Sequence, residues 1–121
     1  LIFPEEGTTV NVESRNYTLL LVEDNDTMRS FLAEKLQEMF VMETAPDGKA
    51  ALEILRNQHI DIVVSDIMMP VMNGLELCKE MKADIELSHI PVIFLTAKND
   101  LDSKINGLRL GAEAYLSLSI T

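Results

Sequence analysis

The sequence predicts an α/β fold: a doubly wound parallel sheet with helices on both faces. Short apolar runs at 19–22, 62–64 and 92–95 show no alternation, as strands buried on both sides do. Segments with apolar residues at helical spacing separate them, and Asn, Asp or Gly stands at the boundaries where helices would start. Strands alternating with helices imply right-handed crossovers and a sheet covered on both sides.

Each element has its own signal. Leu19 to Val22 form a first strand that ends at Glu23 and Asp24. Asn25 or Asp26 caps a helix over 26–39, with Met28, Phe31, Leu32, Leu36 and Met39 inward. VMETA (41–45) is a second strand, and Asp47 caps a helix that turns Ala51, Leu52 and Leu55 inward. IDIVVSD is the third strand; Asn73 and Gly74 then open a helix burying Leu75, Cys78, Met81 and Ile85. HIPVIFLTA is a fourth strand ending at Thr96, with Pro91 at its start, where proline is tolerated. Asn99 or Asp100 caps a helix carrying Leu101, Ile105 and Leu108, Gly111 ends it, and AEAYLSLSIT supplies a fifth strand.

Residues 1–17 carry no sustained period and read as a linker. The expected division is therefore linker 1–17 and a domain over 18–121 that stops after the fifth strand. No fifth helix follows to complete the second face. The expectation is a truncated domain, or a face covered by residues 1–17, a second copy or a neighbouring domain.

Composition narrows the function. Twenty acidic against ten basic residues give a formal charge of −10, which argues against nucleic acid or an anionic membrane on this chain, since phosphate contacts need clustered Lys and Arg. A cation, or a partner with a positive face, suits it better. The single cysteine, Cys78, excludes a disulfide framework and points to a reducing, cytoplasmic setting. No run approaches about 18 apolar residues, and the start has no secretory-signal pattern.

The strand ends carry the chemistry. In open parallel sheets, ligands sit beyond the carboxyl ends of the strands. Glu23 and Asp24, Asp66, and Thr96 each lie just past or at such an end on a different strand, so they converge on one edge. Three carboxylates there repel one another unless a divalent cation joins them. Mg²⁺ takes one or two carboxylates plus other oxygens, and the backbone carbonyl of Met68 is a further candidate ligand. No His or Cys stands at these ends, which disfavours zinc or copper. An aspartate beside such a cation can attack phosphorus and become an acyl phosphate. Thr96 offers a hydroxyl to that phosphate, while Pro70 and Gly74 frame the loop after Asp66. Met69 and Met72 would shield the site.

VEDN at 22–25, SDIMMPVMNG at 65–74, TAK at 96–98 and GAEAYL at 111–116 together resemble the receiver domain of bacterial two-component response regulators. The resemblance runs from about Tyr17 to about Leu116 and is closest to receivers in hybrid proteins, where a sensor kinase precedes the receiver. It implies a flavodoxin-like, five-stranded parallel sheet in the order 2-1-3-4-5, here without its last helix. It further implies that Asp66 is the phosphoacceptor, that Glu23 and Asp24 hold Mg²⁺ with Asp66 and the Met68 carbonyl, and that Thr96 and Tyr115 are the switch pair. A histidine kinase on the same chain would be the phosphodonor in a phosphorelay. A DNA-binding module often follows such receivers, which would connect the signal to transcription, and a homodimer is compatible. The chain would be a cytoplasmic switch, not a turnover enzyme, within a parent protein that can be membrane-anchored.

One departure stands out. Where receivers continue YLxKPF, this chain reads YLSLSI, with Leu118 in place of the lysine. A charge-assisted hydrogen bond contributes roughly 1.5–3 kcal/mol, so its loss would cost about ten- to a hundredfold in phosphate binding or transfer. Leu118 therefore motivates an alternative, a pseudo-receiver that binds partners without switching. A Mg²⁺-dependent phosphohydrolase is a third reading, weakened because Ile67, Met68 and Met69 offer no second acid/base beside the nucleophile.

Overall fold

The computed structural model describes residues 17–96 and the strand 114–117. The elements are β1 (Thr18–Val22), α1 (Asp26–Leu36), β2 (Val41–Ala45), α2 (Gly48–Asn57), β3 (Ile62–Asp66), α3 (Gly74–Ala83), β4 (Val92–Thr96) and β5 (Ala114–Ser117). All pairings are parallel, in the order β2-β1-β3-β4-β5, as expected for a flavodoxin-like sheet. The helix expected around Leu101, Ile105 and Leu108, the linker residues up to 16, and Leu118 lie outside the described residues.

Strand residues alternate between two cores, as the pleat requires. Leu20, Val22, Val63, Val92 and Phe94 face the larger one, beneath α2 and α3, where Ala51, Leu52, Leu55, Leu77, Cys78 and Met81 meet them. Leu19, Leu21, Val64, Ile93 and Leu95 face the other side, packed by Leu32, Ala33 and Leu36 of α1. Two-sided burial explains why β1, β3 and β4 read as unbroken apolar runs.

Three helix positions depart from expectation. α1 ends at Leu36, so Met39 lies in the following turn. Phe31, expected inward, is 54% exposed and lies under the Lys35 ammonium at 5.6 Å from the ring centroid. Ile85, also expected inward, is 90% exposed because α3 stops at Ala83. Leu77 takes the core position on α3, with Leu75 only partly buried.

Every described helix begins with a side-chain cap next to the carboxyl edge of the sheet. Asn25 accepts from the Met28 amide at 2.8 Å and Asp47 from the Ala50 amide at 2.9 Å. Asn73 and Glu76 form a reciprocal capping box. Each cap contributes about 1 kcal/mol and lets its helix start within a few residues of the preceding strand. No helix among the described residues is long and apolar enough to cross a membrane.

Candidate phosphoacceptor and metal site

The register of the central strands builds the site. Val22 of β1 pairs with Ser65 of β3, so the next residues, Glu23 just past β1 and Asp66 at the end of β3, stand side by side. The Glu23 amide still donates to the Ala45 carbonyl at 3.0 Å, one step beyond β1, which holds this residue against the sheet. Its side chain is consequently buried, at 7% exposure, and accepts from the Asn25 amide at 3.0 Å. Asp24 follows on the exposed turn, and Asp66 is half-buried.

One carboxylate oxygen from each of Glu23, Asp24 and Asp66 lies within 4.8 Å of the others. Burial is the main cause that raises the Glu23 carboxyl to about 7, opposed by the Asn25 amide and reinforced by Asp24 and Asp66. Burial likewise raises Asp66, while the Ile67 and Met68 amides pull it back. The Ile67 amide reaches the Asp66 Oδ1 at 2.7 Å. Three crowded oxygen donors, one of them driven toward the neutral form, suit a hard divalent cation. Such an ion removes the repulsion, and among the described residues no nitrogen or sulfur donor joins this cluster.

The loop after Asp66 is fastened at two places. Gly74, the first residue of α3, donates to the Ile67 carbonyl at 2.9 Å. The Met72 carbonyl accepts from the Gly48 amide at the start of α2, also at 2.9 Å. Met69 and Met72 are packed against the larger core, so their main contribution is to anchor this loop. Between the fastenings, the Met72 amide donates to the Pro70 carbonyl at 2.8 Å across Val71, whose φ is 68°. This is a γ-turn of the strained hand, at a β-branched residue. Val71 is 75% exposed and loses little packing if truncated. Val71→Gly should therefore raise stability by roughly 0.5–1 kcal/mol in urea melts, the relieved strain exceeding glycine's entropic cost. A less stable variant would show that the turn is not strained.

The structure brings Glu23, Asp24 and Asp66 together as the sequence predicted. Thr96 ends β4, next to β3, and Tyr115 lies in β5 opposite Phe94 in register. Their side chains lie outside what the structure describes, and among the described residues no contact defines a role for the Met68 carbonyl. Sequence reasoning missed Arg29 of α1, whose Nη1 donates to the Glu23 carbonyl at 2.8 Å and whose Nη2 pairs with the Asp26 carboxylate. The Asp-x-x-Arg spacing at the start of a helix was the available signal.

The model of the response regulator receiver domain matches residues 19–120. The chain belongs to the response regulator receiver domain family. This receiver domain is 39% identical over 105 residues to Histidine kinase P4 of Formosa agariphila, covering 87% of this chain and 8% of that protein. It spans less than half the length of the curated relatives it matches. Among solved structures, the Mn²⁺-bound form of response regulator Rcp1 is 26% identical with a TM-score of 0.77, covering 88% of this chain and 84% of that one. The phosphorylated cyanobacterial phytochrome response regulator RcpA is 26% identical with a TM-score of 0.80, covering 88% and 83%. The receiver is thus a two-component signalling module, and its acidic cluster lies on the edge where such a sheet binds ligands.

Proposed function

We propose that this receiver is a phospho-accepting switch in which Asp66 takes a phosphoryl group from a histidine kinase. The observation that carries this reading is the convergence of Glu23 and Asp24 on Asp66 at adjacent strand ends, with Asp66 left half-buried and reachable. An Asp66 oxygen attacks the phosphorus of a phosphohistidine; the P–O bond forms, the P–N bond breaks, and the imidazole leaves with the electron pair. The Ile67 amide orients the carboxylate for this attack from 2.7 Å. Glu23, Asp24 and Asp66 would hold Mg²⁺, which when bound supplies neutralisation of charge on the phosphoryl oxygens. Support for a cation and for phosphorylation comes from the Mn²⁺-bound and phosphorylated neighbours.

The phosphoryl donor is proposed to be a kinase of the same parent chain, which accords with the likeness to Histidine kinase P4. The domain acts as a switch, because Ile67, Met68 and Met69 beside the acceptor provide no acid or base for turnover. Thr96 and Tyr115 are its proposed switch residues.

Incubation with acetyl phosphate and Mg²⁺ should add about 80 Da to the intact wild-type chain, the mass of one phosphoryl group. Neither Asp66→Asn nor wild type in EDTA should gain it. A wild-type chain that stays unmodified, while folded and loaded with Mg²⁺, would favour the binding-only alternative raised by Leu118.

A further inference from the structure

Arg29 is a cation placed one turn into α1, beside a cluster that itself attracts cations. Its guanidinium binds two oxygens that are not among the clustered carboxylates. Nη1 donates to the backbone carbonyl of Glu23 at 2.8 Å, and Nη2 reaches outward to Asp26. Glu23 is thereby held at three points: its amide by the Ala45 carbonyl, its carbonyl by Arg29, and its carboxylate by the Asn25 amide. Arg29 thus grips the main chain of Glu23, while the Glu23 carboxylate is held by the Asn25 amide.

The two arms differ in setting. The Arg29 side chain is 20% exposed, and its contact with the Glu23 carbonyl is partly buried. The Asp26 side chain is 87% exposed, so that ion pair is screened and contributes little. The carbonyl contact spans six residues, closing the turn between β1 and α1 over the two residues that carry the acids.

We infer that Arg29 is a positioning residue for cation binding: its hold on the Glu23 carbonyl keeps the Glu23 and Asp24 carboxylates within reach of Asp66. This rests on the reading of the acidic cluster as a divalent-cation site. Groups that orient metal ligands from behind typically govern ten- to a hundredfold in affinity.

Mn²⁺ titration of the full chain, with free ion followed by electron paramagnetic resonance, tests the role without any phosphoryl transfer. Melting curves in EDTA report stability separately. Arg29→Met should weaken Mn²⁺ binding about tenfold. Asp26→Asn should stay within about twofold of wild type, since only the exposed arm changes. Arg29→Lys, a single-point donor without the planar fork, should bind several-fold more weakly than wild type and decides the matter if the Met variant does not fold.

Unchanged Mn²⁺ affinity in Arg29→Met, with or without a lower melting temperature, overturns the inference, as does wild-type affinity in Arg29→Lys. A loss in Asp26→Asn equal to that in Arg29→Met overturns it too, because the ion pair would then be the operative contact. Wild type that binds no Mn²⁺ sinks the cation-site reading itself and this role with it, whereas binding by wild type with unaltered variants sinks this role alone.

Discussion

Gly74→Ala will destabilise the domain by about 3 kcal/mol or more and disturb Asp66, the proposed phosphoacceptor, at the same time. A Cβ at Gly74 would lie 2.2 Å from the Asp66 carbonyl oxygen and 3.1 Å from both the Asp66 carbonyl carbon and the Ile67 Cα. These are backbone atoms at the end of a central strand and cannot rotate aside. Relief requires moving α3 away from β3, which breaks the 2.9 Å bond between the Gly74 amide and the Ile67 carbonyl. At an open helical position the same substitution would add up to about 1 kcal/mol of stability, so even the sign is diagnostic. Urea unfolding should show a lower midpoint, and the fraction that folds should accept phosphoryl groups more slowly. A variant as stable as wild type would mean that α3 does not sit this close to Asp66.

The second large effect is a reversal of the pH dependence of stability by a metal. Glu23 titrates at about 7 in the folded chain against an ordinary value of 4.5. Below about pH 4.5 the group is protonated in both folded and unfolded chains, and its stabilising share is fully present. As pH rises toward 7, the unfolded chain releases the proton while the folded chain keeps it, so metal-free stability falls. The loss is complete above the folded value. The raised Asp66 adds in the same direction.

Glu23→Gln removes the Glu23 share of this slope and leaves that of Asp66. In EDTA it should match wild type near pH 4 and exceed it near pH 8, as measured by urea midpoints. Saturating Mg²⁺ should stabilise wild type most at the higher pH, because the ion displaces the proton. Parallel curves for wild type and Glu23→Gln in EDTA would contradict the buried, proton-holding Glu23 described above.

The sequence was most informative where burial is two-sided. Leu19 to Val22 and Val92 to Leu95 could hardly be anything but strands, and the acids at their ends then fall on one edge by topology alone. The exposed faces were harder to read. Phe31 has the spacing of a core residue, but α1 needs only Leu32, Ala33 and Leu36 to cover its side of the sheet, and the aromatic ring is left to Lys35. Ile85 continues the helical period, but the Asp84 cap ends α3 first. Periodicity marks where a side chain could point, not where a helix stops. The γ-turn at Val71 had no local signal either, because nothing in Pro-Val-Met demands a positive φ. It arises from the two hydrogen bonds that hold the loop ends.

The register between β1 and β3 has a longer reach. Glu23 and Asp66 follow Val22 and Ser65, which are paired in register on adjacent strands, and the three carboxylate oxygens lie within 4.8 Å of one another. Their approach thus depends on which strand residues are paired, not on which side chains fill the core. Core identity is then free to drift, so long as the ladder beneath Glu23 and Asp66 stays in step. A library randomising the apolar residues beneath that ladder should therefore yield many folded variants with undiminished ion affinity, while a single-residue slip of β1 against β3 would abolish it.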